Sequence, residues 1–346
     1  MKKIRILSLD GGGIRGILSG TILTYLEEQI RRKTNNEKAS IGEYFDLVAG
    51  TSTGGILCLV FLCPDDNGNY MFTAREALDI YLDQGDEIFD VSLHKKIKSL
   101  GGLRDEKYEA YELEEALLAY LGEKQLSELL RPCLITSYDI RNRKAHFFTS
   151  IDATKSAIYD YYLRDVARAT SAAPTYFEPV RIKSIYGTPY ALIDGGVFAN
   201  NPALCAYAEA RNIAFSEALN DPEKPDKPGA KNMIIVSIGT GEVKEPYHYK
   251  EFQDAGVLKW INPLIDIMMS GNSETVDYQL KQIYETLPKR DCEDYYRIQP
   301  KIIHANNAMD NATLNNLKAL HEDGLASVEF YKEQLDEIVE KLVANH

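Results

Sequence analysis

The chain has 346 residues, 45% of them apolar and 26% charged, with a formal net charge of −13. This is the composition of a globular chain with a large core, and it excludes a basic surface that would draw nucleic acid or anionic membrane over long range. Five cysteines (Cys58, Cys63, Cys133, Cys205, Cys292), none in a C-x-x-C pair, and six scattered histidines without H-E-x-x-H suit a reducing compartment and predict no structural or catalytic transition metal.

The chain opens on "MKKIRILSLDGGG". Two lysines precede an apolar run, but that run is too short for a signal peptide and enters a glycine turn without a small-residue cleavage site. "IRILSL" is expected to be the first buried strand. Apolar residues then recur at helical spacing from Ile17 to Ile30. "EYFDLVAG" predicts the next strand, and "GILCLVFLC", apolar all round, a central helix buried on every side. Residues 73–90 and 107–130 read as helices. "HKKIK" at 94–98, the densest basic run, reads as a solvated loop. "RPCLITSYDI" and "KAHFFTS" read as paired strands joined by "RNR", and "YLRDVARATSAAP" as a helix stopping at Pro174.

"PYALIDGG" predicts a strand ending at Asp194. "NPALCAYAEARNIAF" predicts a helix with Asn201 as cap and Pro202 at its first position. "DPEKPDKPGAK" at 221–231 is a solvent loop and "NMIIVSIGTG" another buried strand. "GVLKWINPLIDIMM" at 256–269 holds the only tryptophan, Trp260. An apolar flap or interfacial helix is one reading of it; a packed core helix is preferred. Residues 313–343 are expected to be a long amphipathic helical stretch with a break at Gly324. No apolar run reaches the ~18 residues of a transmembrane helix. Strands alternating with helices predict a mostly parallel sheet covered on both faces, and no composition break marks a domain boundary.

Two glycine-rich turns carry chemistry. In "LDGGGIRG", Gly11-x-Gly13-x-x-Gly16 follows a strand and opens a helix, the outline of a dinucleotide fingerprint. The acidic residue that motif needs at the end of its second strand is missing, since Asp46 lies at the wrong end, and Asp10 would repel a phosphate. A plain strand-to-helix turn is a second reading. An oxyanion hole is the third: consecutive glycines aim N–H groups at one spot and a helix N-terminus adds positive potential. "GTSTG" at 50–54 matches G-x-S-x-G in the strand–turn–helix context of a nucleophile elbow, with Ser52 as nucleophile.

A serine needs a base. The order Ser, Asp/Glu, His of α/β-hydrolases could be filled by Asp194 and then His248, His304 or His321, but that fold places its oxyanion loop after the third strand, and here one strand precedes the glycine loop. Asp194, at a strand end followed by two glycines, could instead accept the Ser52 proton directly. Burial would raise its pKa and oxyanion donors would lower the barrier after attack. Its plain alternative is an Asx-turn residue.

DGGGIRG, GTSTG and DGG, in this order, resemble the patatin-like phospholipases. "IGEYFDLVAGTSTGGIL", "YLDQGDEIF", "ARATSAAPTYFEP", "DGGVFANNPA", "VSIGTG" and "LIDIMMSGNSETVDYQL" extend the resemblance over roughly residues 4–300. It implies a three-layer α/β/α sandwich around a mostly parallel central sheet, in one domain spanning 1–346, with residues 302–346 as a helical extension packed on it. It also implies a serine lipid acyl hydrolase with a Ser–Asp dyad and no histidine. Ser52 would be the nucleophile, Asp194 the general base, Gly11, Gly12 and Gly13 the oxyanion hole, and Arg15 a contact for the anion or substrate phosphate. The expected substrates are phospholipids or other acyl lipids at a membrane or micelle surface, with no cofactor, no metal and no nucleic acid. Plant patatins carry secretion signals; a chain opening on the first strand is expected to be cytoplasmic. Three rivals stand beside this reading: a phospholipase effector activated by a cyclic nucleotide in bacterial antiphage defence, a storage or binding protein with a vestigial site, and the nucleotide-binding module.

Overall fold

The computed structural model describes residues 2–89, 110–242, 246–253 and 256–346; the basic run at 94–98 lies outside them. Five short apolar segments form a parallel array. These are β1 (Ile4–Leu9), β2 (Leu47–Gly50), β3 (Cys133–Asp139), β7 (Met233–Ile238) and β8 (Tyr295–Ile298), ordered β3-β2-β1-β7-β8. Three more strands, β4 (Lys144–Thr149), β5 (Val180–Lys183) and β6 (Pro189–Asp194), add antiparallel pairings on the β3 side. β5 and β8 escaped the sequence reading because four residues are too few to display a period.

The named helices are α1 (Gly16–Thr34), α2 (Thr53–Leu62), α3 (Ala74–Phe89), α4 (Ala110–Leu121), α5 (Leu163–Thr170), α6 (Ala203–Ala210), α7 (Val257–Glu285), α8 (Leu314–Phe330) and α9 (Lys332–Ala344). The strands divide them into two layers. Leu7 and Leu9 of β1 belong to one apolar core with residues of α1, α2, α3, α8 and α9, while Ile4 and Ile6 belong to another with α6 and α7. Such alternation follows from the two-residue repeat of a strand. A central sheet covered on both faces is thus the observed architecture, as the resemblance implied. α2 is buried at every position but Ile56, and α1 packs against α3, α8 and α9. Among the described residues no helix is long and apolar enough to cross a membrane.

Several boundaries differ from expectation for local reasons. Only Leu47–Gly50 of "EYFDLVAG" is strand. Ile41–Tyr44 forms a 3₁₀ turn, closed by a capping box between Ser40 and Glu43. α4 ends at Leu121 because Gly122 turns left-handed (φ +53°), returning its N–H to Leu118. α5 stops at Thr170, four residues before Pro174. Asn201 does serve the start of α6, its Oδ1 accepting the Ala203 N–H at 3.0 Å. The C-terminal stretch does not break at Gly324. That glycine sits inside α8 where a Cβ would come within 2.9 Å of Thr21, so it lets α8 lie close on α1; the interruption falls at Tyr331.

Candidate active site

β2 runs straight into "GTSTGG". Ser52 sits at the tip with φ +54° and ψ −126°, a strained conformation for a residue bearing a Cβ, costing on the order of 1–3 kcal/mol. What holds it there is close packing. A Cβ on Gly54 would lie 2.4 Å from the Leu9 carbonyl oxygen, so the turn nests against the end of β1 only with glycine at that position. The Ser52 N–H donates to Thr170 Oγ1 at 2.9 Å, and Thr170 Oγ1 donates to the Thr136 carbonyl at 2.7 Å. Thr51 Oγ1 meets Thr136 Oγ1 and the Ala199 carbonyl, each at 2.7 Å. Ser52 begins α2 without spending its hydroxyl on a cap. The hydroxyl is left for other work, at the positive end of a helix.

Strand pairing brings Asp194 to it. β4 covers one edge of β3 along 134–139, so β2 and β6 both lie along the other. Gly50 is opposite Ile135 and Asp194 is opposite Ser137. The two strands approach from opposite directions, and their ends meet two residues apart on β3. Asp194 is buried, 4% exposed. Burial pushes its carboxyl up to about 6; a hydrogen bond with the Ser52 side chain and another from the Gly196 N–H pull the other way. The Gly196 N–H reaches Oδ1 at 2.7 Å.

The glycine loop closes the third side. Gly12 and Gly13 line the same cavity as Ser52 and Asp194. Gly11 does not join them: its N–H already donates to the Asn200 carbonyl at 3.1 Å, which corrects its expected place among the oxyanion donors. Arg15 stands apart from the cavity wall. Its Nε donates to the Gly12 carbonyl at 3.3 Å, Asp266 and Tyr176 stand near enough to act on its charge, and it is not among the cavity's lining residues. It braces the loop. Asp10 is forked onto Arg297 of β8 at 2.9 and 2.6 Å.

The cavity holds about 110 Å³ of free space. Apart from Ser52, Asp194 and a few small polar groups its walls are apolar: Ile56 and Val60 of α2, Ile80 of α3, Leu113, Ala116 and Leu117 of α4, then Phe177. Ile265, Met268 and Met269 of α7 line it as well. Among the described residues no histidine lines it. His321 Nδ1 contacts Thr21 Oγ1 at 3.1 Å and the His304 N–H is held by Asp323. Such a site offers a hydroxyl, a base of raised pKa, backbone amides and an apolar slot, the parts that acyl transfer through a serine requires.

Thr170, Asn200, Asn272 and Ser273 support the site and were not singled out by sequence reasoning. Asn200 Nδ2 donates to Ser273 Oγ, Ser273 Oγ to Asp10, and Asn272 Nδ2 to the Phe198 carbonyl. The signal was present, since all four stand inside segments that carried the resemblance.

The chain is similar in sequence to known proteins. The family model described as patatin-like phospholipase matches residues 7–207. A patatin-like protein 2 of Arabidopsis thaliana is 35% identical over 99% of this chain and 84% of its own length. Patatin-like protein 1 of the same plant is 33% identical over 93% of this chain and 80% of its own. A potato (Solanum tuberosum) relative named probable inactive patatin-3-Kuras 1 is 31% identical over 93% and 85%.

Proposed function

The chain belongs to the patatin-like phospholipase family, and from that premise we propose that it is a serine lipid acyl hydrolase of the phospholipase A or lysophospholipase type, working through a Ser52–Asp194 dyad without metal. The observation that carries the proposal is the pairing of a strained, uncapped serine with a buried carboxyl within hydrogen-bond reach, in the wall of an apolar cavity.

In this mechanism the acyl chain lies between α2, α3 and α4, and its ester carbonyl rests between Ser52 and the glycine loop. Ser52 Oγ attacks the carbonyl carbon while Asp194 takes its proton. An aspartate is ordinarily a weak base for a hydroxyl; a pKa near 6 narrows that gap and still leaves it ionised at neutral pH. Gly12 and Gly13 N–H groups and the α2 N-terminus stabilise the tetrahedral oxyanion. The intermediate collapses, Asp194 returns the proton to the departing alcohol or lysolipid, and an acyl-serine remains. Water then attacks it, its proton going to Asp194, and the fatty acid leaves as Ser52 is restored.

The test is hydrolysis of p-nitrophenyl acyl esters and of phosphatidylcholine with no metal or nucleotide added. Wild type is expected to cleave both, Ser52→Ala and Asp194→Asn to fall to background while folded, and His304→Ala to keep wild-type activity. A dead His304→Ala would replace the dyad with a triad. Activity that required a cyclic nucleotide would favour a gated effector instead.

A further inference from the structure

α7 carries apolar residues on two faces where a surface helix ordinarily has one. Its inward stripe is explained. Ile265 and Met269 border the cavity, Asn272 and Ser273 bind the site's framework, and Val276, Leu280 and Tyr284 are buried in the core. Among the described residues the second stripe has no such core or cavity partner. Trp260, Leu264, Ile267 and Met268 follow at spacings of four, three and one, which places them on one side of the helix. They are 38%, 51%, 43% and 45% exposed. This overturns the preferred sequence reading of a packed core helix for 256–269.

We propose that this outer face of α7 is the surface by which the enzyme seats itself on a lipid layer, and that the layer it fits is zwitterionic. The inference rests on the acyl-hydrolase reading of the same site. Met268 belongs to both stripes: nearly half exposed, it also lines the cavity that holds Ser52. The apolar surface is therefore continuous from the outside of the molecule to the reacting atoms, and an acyl chain leaving a bilayer would meet no polar step between them. The patch also has the composition of an interfacial element. Phe252 packs edge-on against Trp260 at 4.8 Å and Tyr247 against Phe252 at 5.4 Å, putting amphipathic rings at its rim. The charges on this part of α7 are already engaged. Lys259 Nζ donates to the Glu251 carbonyl at 2.6 Å, and Asp266 accepts the Tyr247 hydroxyl at 2.9 Å and lies beside Arg15. With a net charge of −13 the chain gains nothing from an anionic surface, so apolar insertion into a neutral one is the remaining attraction.

Trp260 is the only tryptophan of the chain, so its fluorescence reports this patch alone. The experiment uses full-length Ser52→Ala, which does not consume lipid, with phosphatidylcholine vesicles. A blue shift and quenching by brominated acyl chains are expected. In a Leu264→Glu/Ile267→Glu variant with Ser52 intact, hydrolysis of vesicle lipid should fall about tenfold or more, since two apolar side chains would no longer enter the lipid. Hydrolysis of a soluble short-chain p-nitrophenyl ester should stay within about twofold. Unchanged Trp260 emission, or vesicle hydrolysis equal to wild type in the double variant, would overturn the proposal. So would equal loss on both substrates, which would make the stripe structural, and so would a wild-type dimer that the variant splits, which would make a second copy the occupant. A wild type inert toward the soluble ester would count against the dyad, whereas vesicle binding by Ser52→Ala reads the docking face separately.

Discussion

Asp46 and Asp194 are both buried, Asp46 just before the parallel strand β2 and Asp194 at the end of the antiparallel strand β6. Asp46 precedes β2 and receives Arg5 through its backbone N–H (2.8 Å), Nε (3.1 Å) and a terminal guanidinium nitrogen (2.7 Å), with Lys224 Nζ at 2.7 Å. Burial alone would raise its pKa, but the two cations outweigh that and hold it below the ordinary value. Asp194 is as deeply enclosed and is given a hydroxyl and one amide in place of cations, so burial wins and its pKa climbs. Burial by itself does not determine what a carboxylate does. The carboxylate paired with cations ties strands together, while the one left without them has the raised pKa that the proposed base requires.

The largest effect expected from this contrast is on turnover. Asp194→Asn should cut ester hydrolysis by roughly 10²–10⁴-fold with the fold retained, as circular dichroism would verify. Asp46→Asn should do the opposite. Leaving Arg5 and Lys224 buried beside a neutral amide should cost about 3–5 kcal/mol in urea unfolding, while turnover per folded molecule holds. A folded but inactive Asp46→Asn would break the comparison.

The pH dependences should also run in opposite directions. Hydrolysis needs Asp194 ionised, so kcat/KM should rise with pH through about 6 and then level. Stability behaves differently. Because its pKa is raised on folding from 3.8 to about 6, the native state holds the Asp194 proton more tightly, and this contribution is lost as pH rises across that interval. Asp194→Asn should therefore be more stable than wild type at pH 7, by about 3 kcal/mol at most, with the gain vanishing below pH ~4. Asp46, with its pKa lowered, contributes stability present above its unfolded value of 3.8 and lost as acid titrates it below that. Denaturation midpoints of both variants across pH 3–8 would sharpen or erase the distinction.

The smallest effect concerns the cavity wall. Ala116 of α4 faces the slot between α2 and α3. Ala116→Trp should lower hydrolysis of long-chain esters about tenfold and leave acetate esters little changed. Equal loss on both would mean the chain lies elsewhere.

The candidate site was legible because its chemistry is written in short contiguous strings. Glycines in GTSTGG and the strand-end aspartate that opens DGG are local requirements of tight turns, and local requirements survive in a linear reading. What was missed is non-local. Arg15 resembled an anion contact by position, yet its Nε turns onto Gly12. Gly11 stands beside two cavity-lining glycines, yet Asn200, 189 residues away, holds its N–H. Thr170 reads as one more small helix residue until it accepts the Ser52 amide. Gly324 marked a break in a helix that in fact continues, because its requirement was contact with α1 and not a change of backbone direction.

By itself the sequence determined the strand–turn–helix units, the choice of two candidate reactive side chains and the layered class of the fold, because hydrophobic period and turn chemistry act over a few residues. Only the tertiary structure decided that Gly50 and Asp194 would pair two residues apart along one edge of β3, that one buried aspartate would be given cations and the other none, and that one stripe of α7 would close the cavity while the next lay open. These depend on which surfaces remain after distant segments have packed, and the energy of a buried charge or an exposed apolar face is set by those neighbours.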